Sequence, residues 1–141
     1  AVTLAVSVLA APSYAASLVP VDLELWLGVD VSGSISPSEF NLQKNGYANA
    51  FNSSALQNVI ASSTNGVAVG YGYWSSSNQQ NVAVNWTLLK TAQDVTNFAA
   101  AIAATTRPFN GSTAVGAAID FGVNQILTNA FEADQQTIDD S

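Results

Sequence analysis

The sequence predicts an α/β protein built on a doubly wound, mostly parallel open sheet with one antiparallel edge strand. Three observations lead there. A near-continuous apolar run, "LELWLGV" at residues 23–29, has the character of a strand buried on both faces, as parallel strands are. Helical and strand periodicities interleave along the chain instead of segregating. Two alternating runs, "VAVGYGYW" at 67–74 and a second carrying Val82, Val84 and Trp86, are separated only by the polar "SSSNQQN", which reads as an antiparallel hairpin toward one edge.

The elements follow in order. After the first strand, Ser36-Pro37-Ser38-Glu39 is a capping box with proline at the first helical position, so a helix begins there and buries Phe40, Tyr47 and Phe51. "ASSTNG" closes that segment at Gly66. The hairpin comes next, with Val82, Val84 and Trp86 expected on one face and with Trp74 and Trp86 expected in the core. Thr91-Ala92-Gln93-Asp94 opens another helix whose Val95, Phe98 and Ile102 face inward. "TTRPFNGST", 105–113, is a loop in which Arg107 reads as a solvated charge. A further helical pattern runs from about Ala114 to Leu127, and "QQTID" opens one more strand. In such sheets ligands bind outside the carboxyl ends of the strands, which is where "DVSGSIS", residues 30–36, would lie.

Composition narrows the function. The 141 residues fit one domain, and 48% hydrophobic content supplies a packed core. Ten acids against three bases give a net charge of −7, which lacks the basic footprint of a nucleic-acid binder. Neither Cys nor His occurs, so thiolate chemistry, imidazole ligation and the His-dependent catalytic pairs are excluded from this stretch. "AVTLAVSVLAAPSYAAS" resembles the apolar part of a signal peptide followed by a small-residue cleavage pattern, so residues 1–16 are expected to be a partial export signal. The run is too short for stable membrane insertion. With no basic n-region and no Met, the sequence is expected to begin after its true start.

An ionised Asp30 at the end of a buried strand is costly unless it is hydrogen-bonded, paired or near a cation. No Lys or Arg lies within ten residues of it. Ser32 and Ser34 follow at alternate positions around Gly33, so three oxygens can converge on one side of an extended loop. Hard divalent ions such as Mg²⁺ or Ca²⁺ take such ligands. One carboxylate with neutral hydroxyls leaves residual positive charge on the ion, which favours an acidic oxygen from a second molecule. The competing reading is that Asp30 and the serines only make turn and cap hydrogen bonds, which is all that Ser36 is expected to do.

"ELWLGVDVSGSISPSEF" carries the D-x-S-x-S loop after a first strand, and in this the chain resembles a von Willebrand factor type A (vWA) domain with its metal-ion-dependent adhesion site (MIDAS). "YWSSSNQQ", "WTLL" and "STAVGAAIDFG" extend the resemblance to an exported bacterial subgroup of such domains, over roughly residues 21–141. The resemblance implies a Rossmann-like vWA fold, here its N-terminal part, over residues 17–141. It also implies an ion (Mg²⁺, or Ca²⁺ or Mn²⁺) bound by Ser32 and Ser34, with Asp30 direct or through water, and by Thr113 from a second loop. Thr113 by itself reads as the cap of the following helix. The family's further Asp is expected beyond Ser141, where the fold continues. Asp140 stands at a position that is usually apolar, and neither it nor Asp139 is expected to be a ligand. The function expected is non-enzymatic, cation-dependent binding of a protein or other ligand offering a carboxylate, by an exported periplasmic, cell-surface or secreted protein. A Mg²⁺-dependent phosphatase-like hydrolase using Asp30 is the alternative, although Ser32 stands where such enzymes place a second acid. A structural surface protein is a third.

Overall fold

A computed structural model describes residues 17–141; the expected export segment, residues 1–16, lies outside the described residues. In chain order the elements are β1 (Val19–Pro20), β2 (Leu23–Asp30), α1 (Pro37–Phe51), α2 (Ser54–Ala61), β3 (Val67–Trp74), β4 (Gln80–Leu89), α3 (Ala92–Ala104), α4 (Val115–Thr128), β5 (Phe131–Glu132) and β6 (Gln136–Asp140). The main sheet has the order β4-β3-β2-β6. β2 pairs in parallel with β3 and β6, and β4 runs antiparallel to β3 at one edge. This is the expected α/β class. The two short strands β1 and β5, which the sequence did not announce, pair in parallel as a separate ribbon.

Alternation along β2 divides the core into two layers. Leu27 and Val29, with Val69, Tyr71 and Tyr73 of β3, pack against Phe40 and Phe51 of α1 and Val95, Phe98 and Ile102 of α3. On the opposite face Trp26 is 1% exposed. Its ring fills the room left by small residues: a Cβ at Gly70 or Gly122 would come within 2.8 or 3.0 Å of it. Phe121 of α4 meets Trp26 edge-on at 5.7 Å, and Trp86 lies 6.0 Å away. Helices therefore cover both faces of the sheet, and β2 is buried on each side.

The expected capping box forms at α1, and the helix start expected at Thr91 carries a second. Ser36 accepts from the Glu39 amide while Glu39 accepts from the Ser36 amide, and Thr91 and Asp94 repeat the arrangement at α3. Two expectations are corrected. The first helical segment is two helices, because the Ser53 hydroxyl accepts from the Leu56 amide and starts α2 anew. Val82, Val84 and Trp86 do not share a face. Irregular register between β3 and β4 interrupts the alternation, so Val84 packs on the α1/α3 side while Trp86 lies against Trp26. Trp74 is buried, as expected, and Trp86 is partly buried.

Two acids lie on the Trp26 face of the sheet. Glu24 is fully buried; Gln136 Nε2 donates to its Oε2 at 2.8 Å, and its Oε1 has no partner. Asp140, beside Gly28 on β6, has both carboxylate oxygens buried without a partner. Burial, and then the neighbouring Asp139 charge, push its carboxyl above the usual Asp range. A group whose folded-state affinity for protons exceeds that of the unfolded chain loses stability as pH rises. Asp140→Val should accordingly raise stability at pH 7 by about 1–3 kcal/mol in urea or thermal unfolding. That advantage should shrink as the pH falls toward about 4, where the unfolded carboxyl takes up its proton. Equal stability of variant and parent at pH 7 would contradict the burial argument.

Candidate metal centre

Three loops converge at the carboxyl end of β2 and β3. The chain leaves β2 at Asp30, and the Val31 amide adds one more bond, to Trp74 O at 2.9 Å. It then turns: the Ile35 amide donates to Ser32 O at 2.9 Å, and Ser36 caps α1. Gly33 sits against the loop that precedes α4, its amide donating to Gly111 O at 2.7 Å. A Cβ at Gly33 would lie 2.9 Å from Asn110 O, so only glycine permits this approach.

The loop before α4 is held from its other side by the β3–β4 turn. The buried Ser75 hydroxyl lies within 3.2 Å of Ser112 O and of Gln79 Oε1, and the Ala114 amide donates to Ser75 O at 2.9 Å. The Ser112 amide donates to Ser76 Oγ at 2.8 Å. A side chain at Gly111 would collide with Ser76 and Gln79. Both loops are thus fixed largely by bonds to backbone groups.

Against that frame the four expected residues are distributed as follows. Asp30 is half-buried, and its Oδ1 accepts from the Ser32 amide at 2.7 Å. Ser32 is 1% exposed, and its Oγ accepts from Thr113 Oγ1 at 2.9 Å across the two loops. Ser34 is exposed, on the same loop, and among the described residues its hydroxyl has no protein partner. Asp30, Ser32 and Thr113 are therefore linked, while Ser34 stands apart from the hydrogen-bonded set. Thr113 is not the helix cap: Ala114 occupies that position with no side-chain cap bond, which leaves the Thr113 hydroxyl to reach Ser32.

Arg107 also departs from expectation. It is not a solvated charge; its guanidinium is half-buried and donates to the carbonyls of Val31, Ser32, Ile35 and Phe109. Neither this role nor that of Ser75 was visible in the sequence. The contacts that tie them to other loops are to backbone groups far along the chain, and backbone groups leave no side-chain signature.

The donor set is one carboxylate and three hydroxyls, all hard oxygens. Among the described residues no group of three or more His, Cys, Asp or Glu side chains is placed to hold a metal. A hydroxyl-rich site is consistent with that, since it contains one acid. The 2.9 Å between the Ser32 and Thr113 oxygens is a hydrogen bond, and it is also close to the separation of about 3 Å between adjacent ligands of an octahedral ion with bonds near 2.1 Å. In chemistry the donors are of the kind a small divalent cation takes.

Solved structures share this fold. The von Willebrand factor domain of the type V pilus tip protein Mfa5 from Porphyromonas gingivalis matches with a TM-score of 0.55 and 14% identity, over 84% of this chain and 36% of that one. Proximal thread matrix protein 1 from the mussel byssus, a structure with a zinc-occupied MIDAS motif, gives 0.57 and 13%, over 85% and 28%. The pilus adhesin SpaC from Lactobacillus rhamnosus GG gives 0.57 and 20%, over 83% and 15%. At these identities the likeness is one of fold, and the chain spans little more than a third of the longest-covered of these proteins. No curated protein matches the chain. No helix among the described residues is long and apolar enough to cross a membrane. A family model matches residues 20–141, nearly the whole described chain, and by that match the chain belongs to the family described as protein of unknown function (DUF1194).

Proposed function

We propose that the chain is a non-enzymatic binding module that captures a carboxylate-bearing protein or other ligand through a divalent cation. The observation that carries this reading is the contact between Thr113 Oγ1 and the buried Ser32 Oγ, which joins two loops at the carboxyl end of the sheet beside Asp30. Nothing in packing requires two hydroxyls to meet there. The fold shared with a pilus adhesin, a pilus tip protein and a matrix protein, one of them with an occupied MIDAS motif, supports the same reading.

In this reading Ser32, Thr113 and Ser34 offer hydroxyl oxygens, and Asp30 offers its carboxylate directly or through water. When bound, the cation supplies a Lewis-acidic position whose charge one carboxylate does not neutralise. The chain's own part is to hold the oxygens in place. The Ser32 amide orients Asp30, the turn bond at Ile35 fixes Ser32, and the Ser75–Ser112 contacts fix the loop that carries Thr113. Ser34, exposed on the same loop, would offer its hydroxyl as a further ligand. Mg²⁺ or Mn²⁺ suits the spacing, and Ca²⁺ remains a competitor.

A phosphatase-like use of Asp30 is less well supported. The Asp30 Oδ1 is engaged by an amide, and the position two residues on, where such chemistry needs an acid, is a serine bonded to Thr113. The cleavage-like N-terminal sequence and the extracellular character of the fold relatives favour an exported protein, in the periplasm, at the cell surface or secreted.

Two outcomes test the proposal. Mn²⁺ or Mg²⁺ at 100 times its dissociation constant should stabilise the folded chain by about 2.7 kcal/mol in thermal unfolding. Ser32→Ala and Thr113→Ala should remove that shift, read against each variant's own metal-free melting temperature because each also breaks the Ser32–Thr113 bond; no shift in the parent with Mg²⁺, Mn²⁺ or Ca²⁺ would refute cation binding. Retention of any captured ligand on immobilised protein should fall to background in excess EDTA and return on adding Mn²⁺. Capture indifferent to EDTA would refute the bridging role even if the ion binds.

A further inference from the structure

Arg107 is one of three basic residues in the chain. Its support is rigid. Pro108 follows it and disfavours helical backbone at Arg107. Thr105, two residues earlier, ends α3, with its hydroxyl 2.6 Å from Tyr73 OH and its carbonyl accepting from Lys44 Nζ at 3.1 Å. Phe109 packs against the main core. From this base the guanidinium reaches the loop after β2. Nη2 donates to Val31 O and Ser32 O, both at 2.7 Å, and Nη1 to Ile35 O at 2.8 Å. Nε lies 3.2 Å from Val31 O and from Phe109 O. The three loop carbonyls bracket Ser32 and Ser34.

We infer that Arg107 is a positioning residue that fixes the Asp30–Ile35 loop and, by engaging its backbone oxygens, makes the site prefer a small octahedral ion over Ca²⁺. This rests on the cation-binding reading above. Calcium takes six to eight oxygens and commonly recruits backbone carbonyls, whereas Mg²⁺ and ions of its size keep waters around a few fixed ligands. Carbonyls held by the guanidinium are withdrawn from the first kind of site and do not disturb the second. The planar fork matters here, since its contacts are spread over Nε, Nη1 and Nη2, whereas an ammonium concentrates its donors on one atom. Charge alone predicts the opposite sign: a cationic side chain near a cation weakens binding, so its removal would tighten it.

The test uses Arg107→Gln and Arg107→Lys in the full chain, with Mn²⁺ and Ca²⁺ titrated separately by calorimetry and the metal-free melting temperature recorded for each. Arg107→Gln should weaken Mn²⁺ binding at least tenfold and Ca²⁺ binding much less, narrowing the ratio of the two dissociation constants by about tenfold. Arg107→Lys, which keeps the charge and loses the fork, should narrow it in the same direction and stands in if the glutamine variant does not fold. Unchanged or tighter Mn²⁺ binding in Arg107→Gln overturns the inference. So does an equal loss for both ions, or failure of both variants to fold, either of which would make Arg107 a fold element alone. If Ser32→Ala abolishes Mn²⁺ binding while Arg107→Gln binds as the parent does, only this inference falls; if the parent binds neither ion, the cation reading falls and takes this one with it.

Discussion

The burial of β2 on both faces is the constraint from which the rest follows. Leu27 and Val29 are sealed beneath α1 and α3, Trp26 is sealed beneath α4, and parallel neighbours occupy both hydrogen-bonding edges. Such a strand has nowhere to place polar groups except at its ends. At the carboxyl end the chain must escape between two helical layers, and it does so through Asp30 and the turn that follows. The sheet's topology, with β3 on one side of β2 and β6 on the other, makes this end a switch point of the kind where open α/β sheets bind ligands, whatever side chains stand there.

The loops there are held mostly by bonds to backbone groups. Asp30 takes the Ser32 amide, Gly33 gives its amide to Gly111, Ser75 approaches the Ser112 carbonyl, and Arg107 gathers four carbonyls. Side-chain hydroxyls are thereby left over, and two of them meet. A site made from such remainders is poor in charge. On the proposed cation-binding reading, one acid and three neutral oxygens would not match the affinity of a calcium loop with several carboxylates, and that weakness would let a partner's carboxylate complete the coordination.

Much of this was legible in the sequence where the signals were local. The capping boxes at Ser36 and Thr91 formed because cap and partner are three residues apart, and the apolar spacing of Val95, Phe98 and Ile102 is a property of one helix. The break between α1 and α2 was just as local, yet the serine that starts α2 lay inside a pattern read as continuous helix. The face of Trp86 could not be read, because irregular β3–β4 pairing sets the side to which it points. Thr113 is instructive. Its own neighbourhood reads as a helix cap, only the family likeness marked it for the site, and its contact with Ser32 spans 81 residues. Arg107 reaches 76 residues back to carbonyls that any sequence would supply.

Glu24, Asp140 and Asp30 show how position along a sheet decides what surrounds a carboxylate. Glu24 lies near the amino end of β2, wholly buried, with one oxygen on Gln136 and the other without a partner. Asp140 is level with Gly28, its oxygens enclosed between β2 and α4 with no donor. Burial, the largest cause at each, raises the proton affinity of both. Asp30 stands two residues beyond Gly28, half-buried, at the point where the strand ends and an amide is available to hold it. A shift of one pair along the strand separates an acid enclosed without a donor from one that an amide holds where the strand ends.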